Sequence, residues 1–142
     1  MERTLNWEHL RTNVAIEYGL EKPVQIHYGN DGKPDGVLVN VIDGSFILNL
    51  HDEKEEMKWE DACEHKAFSK QQALLIVYYF DEIQKCLKDA GGDPLRTDTY
   101  YWTCTEFHQS YAWFVHFGNG GFFSNLTGKY YAYVVRGVAA SK

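Results

Sequence analysis

Two apolar runs, Val37–Ile42 and Phe46–Leu50, stand on either side of Asp43-Gly44-Ser45. Asp-Gly between β-rich runs marks a tight hairpin, because Gly tolerates the positive φ such a turn needs. Upstream, Val24–Tyr28 reads as a further strand from its Val and Ile content. The turn cluster Asn30-Asp31-Gly32-Lys33-Pro34-Asp35-Gly36 follows it. Thr4–Tyr18 places Leu5, His9, Thr12 and Ile16, with Leu10 and Val14, at helix-like intervals, weakened by Asn and Thr, and reads as a short helix or an irregular arm.

From Lys58 the period changes. Trp59-Glu60-Asp61-Ala62-Cys63 starts a short helix. Ser69 then caps a longer one over Lys70–Ala90, with Gln72 completing a capping box. Leu74, Leu75, Tyr78, Tyr79, Phe80, Ile83 and Leu87 follow at helical spacing, and Ala90-Gly91-Gly92-Asp93-Pro94 ends the helix. Ala73–Phe80 is nearly apolar, which predicts little exposure there. Beyond Pro94 the β pattern returns in Tyr100–Thr105, Ala112–Phe117, Phe122–Asn125 and Tyr130–Val138. Strands, two helices and more strands predict one α+β domain over residues 1–142, with 1–35 as an N-terminal arm and strand. The long helix should pack on a sheet containing Ala112–Phe117 and Tyr130–Val138.

Charge removes some function classes. The net charge is −6, with no cluster of Lys or Arg to displace counterions from phosphates, which argues against nucleic-acid binding. The acid excess is local: seven carboxylates against three lysines between His51 and Lys66, read as a solvated loop and helix face. The Asp/Asn/Gly spacing of a calcium-binding EF-hand loop is missing there. No stretch reaches the roughly 18 apolar residues of a membrane span, so no membrane insertion is expected. No signal peptide is visible, which leaves a virion or cytoplasmic protein, or an exported one whose signal has been removed. Cys63, Cys86 and Cys104 cannot all pair within one chain and show no CxxC or zinc spacing, so three free thiols and no intramolecular disulfide are expected.

Thirteen of the 22 aromatic residues fall between Tyr100 and Tyr133, a window poor in charge. That window carries Tyr101-Trp102-Thr103-Cys104-Thr105-Glu106, Ala112-Trp113-Phe114-Val115-His116-Phe117, Gly120, Lys129 and Val135-Arg136-Gly137-Val138. The order resembles a family of bacterial C-type-lectin-like domains. These occur at the C-terminus of collagen-like adhesins and in the variable proteins of diversity-generating retroelements, including phage tropism determinants. Ile42-Asp43-Gly44, Trp59-Glu60-Asp61-Ala62 and Ala90-Gly91-Gly92-Asp93-Pro94-Leu95 extend the resemblance over about residues 36–139. The chain departs from the family pattern at three places. Lys66-Ala67-Phe68-Ser69-Lys70 replaces the usual Gly-Trp-x-Leu-Pro, Cys104 a small serine, and Gly137 a proline. The resemblance implies a C-type-lectin-like fold of mixed or antiparallel strands with two helices, and a ligand-binding surface on it.

Period-2 alternation puts Trp113, Val115 and Phe117 on one face of a strand and Phe114 and His116 on the other. The first set matches the family's constant positions and, with Trp102, reads as core. The second matches its free positions and reads as outward. His108, Gln109, Phe114, His116, Asn119, Phe122, Ser124, Asn125, Tyr130 and Tyr131 are thus the candidate ligand-binding residues. For Phe114, Phe122, Tyr130 and Tyr131, plain packing is an equal alternative. Arg136 with Glu106 suggests a structural ion pair. His108 and His116 lack further ligands at metal spacing and read as surface histidines.

Catalysis has little support. No Gly-x-Ser-x-Gly elbow occurs, and Gly118-Asn119-Gly120-Gly121 lies between strands with no helix after it, unlike a phosphate loop. Formylglycine-generating enzymes elaborate a related fold, but they depend on paired cysteines, and no cysteine follows Cys104. The Glu-Pro-Asn and Gln-Pro-Asp tripeptides of calcium-dependent lectins are absent. The expectation is a module without catalytic residues, metal or cofactor, which binds a protein or glycan receptor on a cell surface. The alternatives are an oligomerisation module of a surface or virion assembly, whose exposed aromatics are contacts of a homo-oligomer, and a distant formylglycine-generating-type enzyme.

Overall fold

The computed structural model describes residues 22–41, 44–118 and 123–141, with 123–126 as backbone only. The predicted helix or arm over Thr4–Tyr18, and Ile42 and Asp43 of the first hairpin, lie outside them. Three strands come first: β1 (Val24–Tyr28), β2 (Pro34–Val39) and β3 (Phe46–Asp52). Three helices follow: α1 (Trp59–Glu64), α2 (Lys70–Tyr78) and α3 (Phe80–Asp89). The chain closes with β4 (Tyr100–His108), β5 (Tyr111–His116), β6 (Phe123–Gly128) and β7 (Arg136–Ala140). The strands form two antiparallel sheets, ordered β1-β2-β3-β7 and β4-β5-β6. The architecture is α+β.

Local chemistry explains most boundaries. The Ser69 hydroxyl accepts from the Gln72 N–H at 3.0 Å, and the Gln72 side chain accepts from the Ser69 N–H at 2.8 Å, as the capping-box pattern predicts. At the other end, Gly91 takes φ +78°. The Gly92 N–H returns to the Leu87 carbonyl and that of Gly91 to Lys88, a Schellman stop. Between β2 and β3 the hairpin is wider than Asp43-Gly44 implied: Val39 pairs with Phe46, and the Ser45 hydroxyl accepts from the Val41 N–H at 2.9 Å inside the loop.

The single long helix expected over Lys70–Ala90 is two, broken at Tyr79 (φ −107°, ψ 26°). Val77-Tyr78-Tyr79-Phe80 is a run of β-branched and aromatic residues, which lose rotamer freedom against the preceding helical turn. The break lets the halves serve different sheets: α2 packs on β4 and β5, and α3 on β1 and β2. The expected common sheet does not exist. β5 and β7 lie in different sheets, and 130–135 carries only isolated bridges at Tyr133 and Val134. Leu74 and Tyr78 are exposed, against the expectation for Ala73–Phe80.

Two apolar clusters result. The larger joins Val37, Phe46 and Leu48 to Phe68, Ile76, Ile83 and Leu87, and to Tyr101, Val115 and Phe117 across the helices. The smaller holds Ala62, Ala67, Trp102, Ala112, Phe114 and Val135 on the other face of β5. Phe114 is therefore core, only 8% exposed, and its outward assignment is corrected. Alternation separates two faces of a strand but does not say which is covered, and α1 with residues 133–135 covers the second. Trp113, expected in the core, is half-buried: the Lys70 ammonium sits 3.4 Å from its ring centroid, and Phe107 meets it edge-on.

The cysteine expectation also fails. Cys63 on α1 and Cys104 on β4 form a disulfide with Cα atoms 5.1 Å apart, leaving Cys86 free. An odd count excludes full pairing only, and the pair is made by a helix folding back on a strand. Register in β4 slips between Trp102 and Glu106, and this irregularity carries Cys104.

Arg136 is fully buried, but its carboxylate is Asp52, not Glu106. The guanidinium Nε donates to Asp52 Oδ1 at 2.6 Å, and its other nitrogens donate to the carbonyls of Asn49, Leu50, Asp93 and Pro94. The Tyr101 hydroxyl donates to Asp52 at 3.0 Å and accepts the Arg96 N–H at 2.9 Å. Burial, foremost, pushes the Tyr101 phenol far above its ordinary value. The folded state thus keeps this proton where the unfolded chain releases it, so stability should fall as pH rises past about 10. Denaturant midpoints across that range should decline less steeply in Tyr101→Phe; an unchanged slope counts against the assignment.

Candidate functional site: a tyrosine ridge on the three-stranded sheet

The site is built from the β4–β5 pairing outward. Tyr100 lies opposite His116, and Trp102 opposite Phe114, so the four share one face of the sheet. Trp102 is fully buried and its indole N–H donates to the carbonyls of Met57 (2.9 Å) and Tyr131 (3.2 Å). Phe114 lies beside it. Above this floor, Tyr100 meets the rings of Phe114, His116 and Tyr133 at centroid distances of 5.0, 5.2 and 5.4 Å. Tyr133 stacks on Tyr131 at 6.2 Å, and Tyr131 lies 4.6 Å from Tyr130. Tyr130 is 70% exposed, Tyr131 48% and Tyr100 42%.

The tip of the β4–β5 hairpin adds a second aromatic group, which leaves β5 on the Trp113 side rather than the Phe114 side. Tyr111 pairs with Gly128, next to the turn bearing Tyr130, and meets His108 edge-on at 5.1 Å. The hydrogen bond Tyr130 makes to Tyr131 holds its proton and raises the Tyr130 phenol, helped by the nearby Tyr131 charge, by desolvation and by Tyr111. One lysine fixes the turn. Lys129 Nζ bonds Glu106 and the Gln109 carbonyl, and lies 4.3 Å above the Trp59 ring. The charge at the base of the ridge is therefore paired, and what the ridge offers a ligand is ring faces, hydroxyls and imidazoles.

Of the expected binding residues, His116, Tyr130 and Tyr131 lie on the ridge, and His108 and Gln109 at the hairpin tip. Phe114 is its floor. Asn119 and Phe122 lie outside the described residues, and Ser124 and Asn125 are placed by backbone register alone, opposite Val115 and Phe114. His108 Nδ1 accepts the Ser110 N–H and His116 Nδ1 the Gly118 N–H, each tightening its own turn. Among the described residues no three His, Cys, Asp or Glu side chains gather as a metal-ligand set, and no helix is long and apolar enough to cross a membrane. Sequence reasoning missed Tyr100, Tyr111 and Tyr133. Strand alternation places Tyr100 on the face of Trp102, but adjacency to Tyr133 arises only where Val134 bridges Tyr101 of β4. Compared with known proteins, the chain matches no family model and no curated sequence.

Proposed function

We propose that this chain is a non-enzymatic ligand- or receptor-binding module, a C-type-lectin-like scaffold carrying a variable-type surface for phage or cell-surface recognition. The observation that carries the reading is the ridge: exposed Tyr100, Tyr130 and Tyr131, linked by ring contacts through half-buried Tyr133, over a buried Trp102–Phe114 floor. Tyrosine supplies large, rigid, amphipathic contact area at low entropic cost, which is why it dominates adaptable recognition surfaces. Several family-like positions, among them Trp102, Ala112, Val115, Phe117, Val135 and Arg136, are buried and so suit a scaffold role. A disulfide fits work outside reducing compartments. A second reading, the same ridge as a subunit contact in a surface or virion assembly, draws on the same exposed rings.

The test is Tyr130→Ser with Tyr131→Ser, assayed on a glycan array and on purified bacterial envelopes. Both side chains are exposed, so the variant should melt within about 0.5 kcal/mol of the parent. Binding should weaken at least about tenfold if these rings are anchors. Undiminished binding by a folded variant would remove the ridge as the recognition surface. Light scattering separates the second reading: a stable parent oligomer that this variant dissolves would make the ridge a subunit contact.

A further inference from the structure

We propose that the Cys63–Cys104 disulfide is a redox clamp on the tyrosine ridge: oxidation holds the ridge in shape, and reduction loosens it while the rest of the fold persists. This rests on the ridge being the binding face. α1 has six residues and no side-chain cap at its start, so little holds it helical by itself. The disulfide joins it to β4 at the strand's irregular stretch.

The residues that open α1 also hold the segment bearing the tyrosines. Met57 and Tyr133 exchange both backbone hydrogen bonds, at 3.0 and 3.1 Å. The Trp59 N–H donates to the Lys129 carbonyl at 3.2 Å, and the Trp59 ring lies beneath the Lys129 ammonium. The Trp59 indole donates to the Thr103 carbonyl at 3.0 Å, one residue before Cys104. The Trp102 indole then bridges Met57 to Tyr131. Displacing α1 therefore strips partners from Lys129 and Tyr133 together, and from the Trp102 indole that holds Tyr131.

Most of the four-stranded sheet has no such dependence: β1, β2 and β3 pair with one another, and β1 and β2 pack on α3. The α1 segment reaches this sheet at its edge strand β7, where the Val138 N–H donates to the Lys66 carbonyl and Gly137 pairs with Ala67. Both clamp cysteines are half-buried rather than fully enclosed. The step balances simply: a dithiol reductant gives up two electrons and two protons and closes to its own disulfide, and the protein S–S bond opens to two thiols.

Hydrogen exchange on the whole chain, oxidised and after reduction by dithiothreitol, tests this without any ligand. Thiol titration of the denatured protein should find one thiol before reduction and three after. Reduction should speed exchange about tenfold or more over 57–67 and 129–134, with 24–39 still protected. Cys63→Ser with Cys104→Ser should reproduce the reduced pattern, and Cys86→Ser the oxidised one. Three thiols before reduction would overturn the proposal. So would unchanged exchange at 129–134, or loss of protection everywhere, which would make the bond a staple for the whole fold. None of these outcomes bears on whether Tyr130 and Tyr131 bind a ligand, so the two ideas fail separately.

Discussion

Asp52→Ala should destabilise the domain by about 3–5 kcal/mol, because it leaves the Arg136 guanidinium in the interior without its counter-charge. That is a large part of the roughly 5–15 kcal/mol that holds such a domain together. Arg136 has no exposed surface, and its nitrogens reach four carbonyls on two different connections: Asn49 and Leu50 in β3, Asp93 and Pro94 before β4. The four carbonyls would stay bonded in the variant, but none of them carries the charge that Asp52 does. Arg136→Met should also be costly, since it frees those carbonyls and strands the carboxylate. In a double-mutant cycle by urea unfolding, the pair of substitutions should cost less than the two singles summed. Additive losses would mean that the pair is not coupled.

Phe114→Ala should cost about 3–5 kcal/mol, the usual range for emptying a buried aromatic site. Trp113→Ala should cost less although the residue is larger, because half-buried Trp113 already shares its surface with water and the Lys70 side chain. This order reverses what strand alternation and family resemblance predict. Thermal melts of the two variants decide it, and a Trp113→Ala loss exceeding that of Phe114→Ala would return Phe114 to the surface. Phe114→Ala should also disorder Tyr100 and Tyr133, whose rings rest against it at 5.0 and 5.7 Å. Lost binding in that variant is then a packing effect, so Tyr130 and Tyr131 are the better probes of recognition.

Features governed by contiguous residues were legible in the sequence. The Ser69–Gln72 capping box, the α1 start at Trp59 and the Gly91-Gly92 stop each depend on groups within five residues of one another. The chain also marked its aromatic window, and within it His116, Tyr130 and Tyr131 lie along one ridge. What sequence alone could not decide involves partners far apart along the chain. Alternation showed that β5 has two faces, but whether the Phe114 face meets water depended on α1 and Val135 arriving there. Asp52 looked like one more carboxylate in an acidic run until β7 laid Arg136 beside it, 84 residues away. Cys63 and Cys104, 41 residues apart, met because a short helix folds back on β4. Periodicity and capping thus determined the elements, while the covering of each face and the pairing of each distant charge and thiol were decided by the packing of those elements in three dimensions.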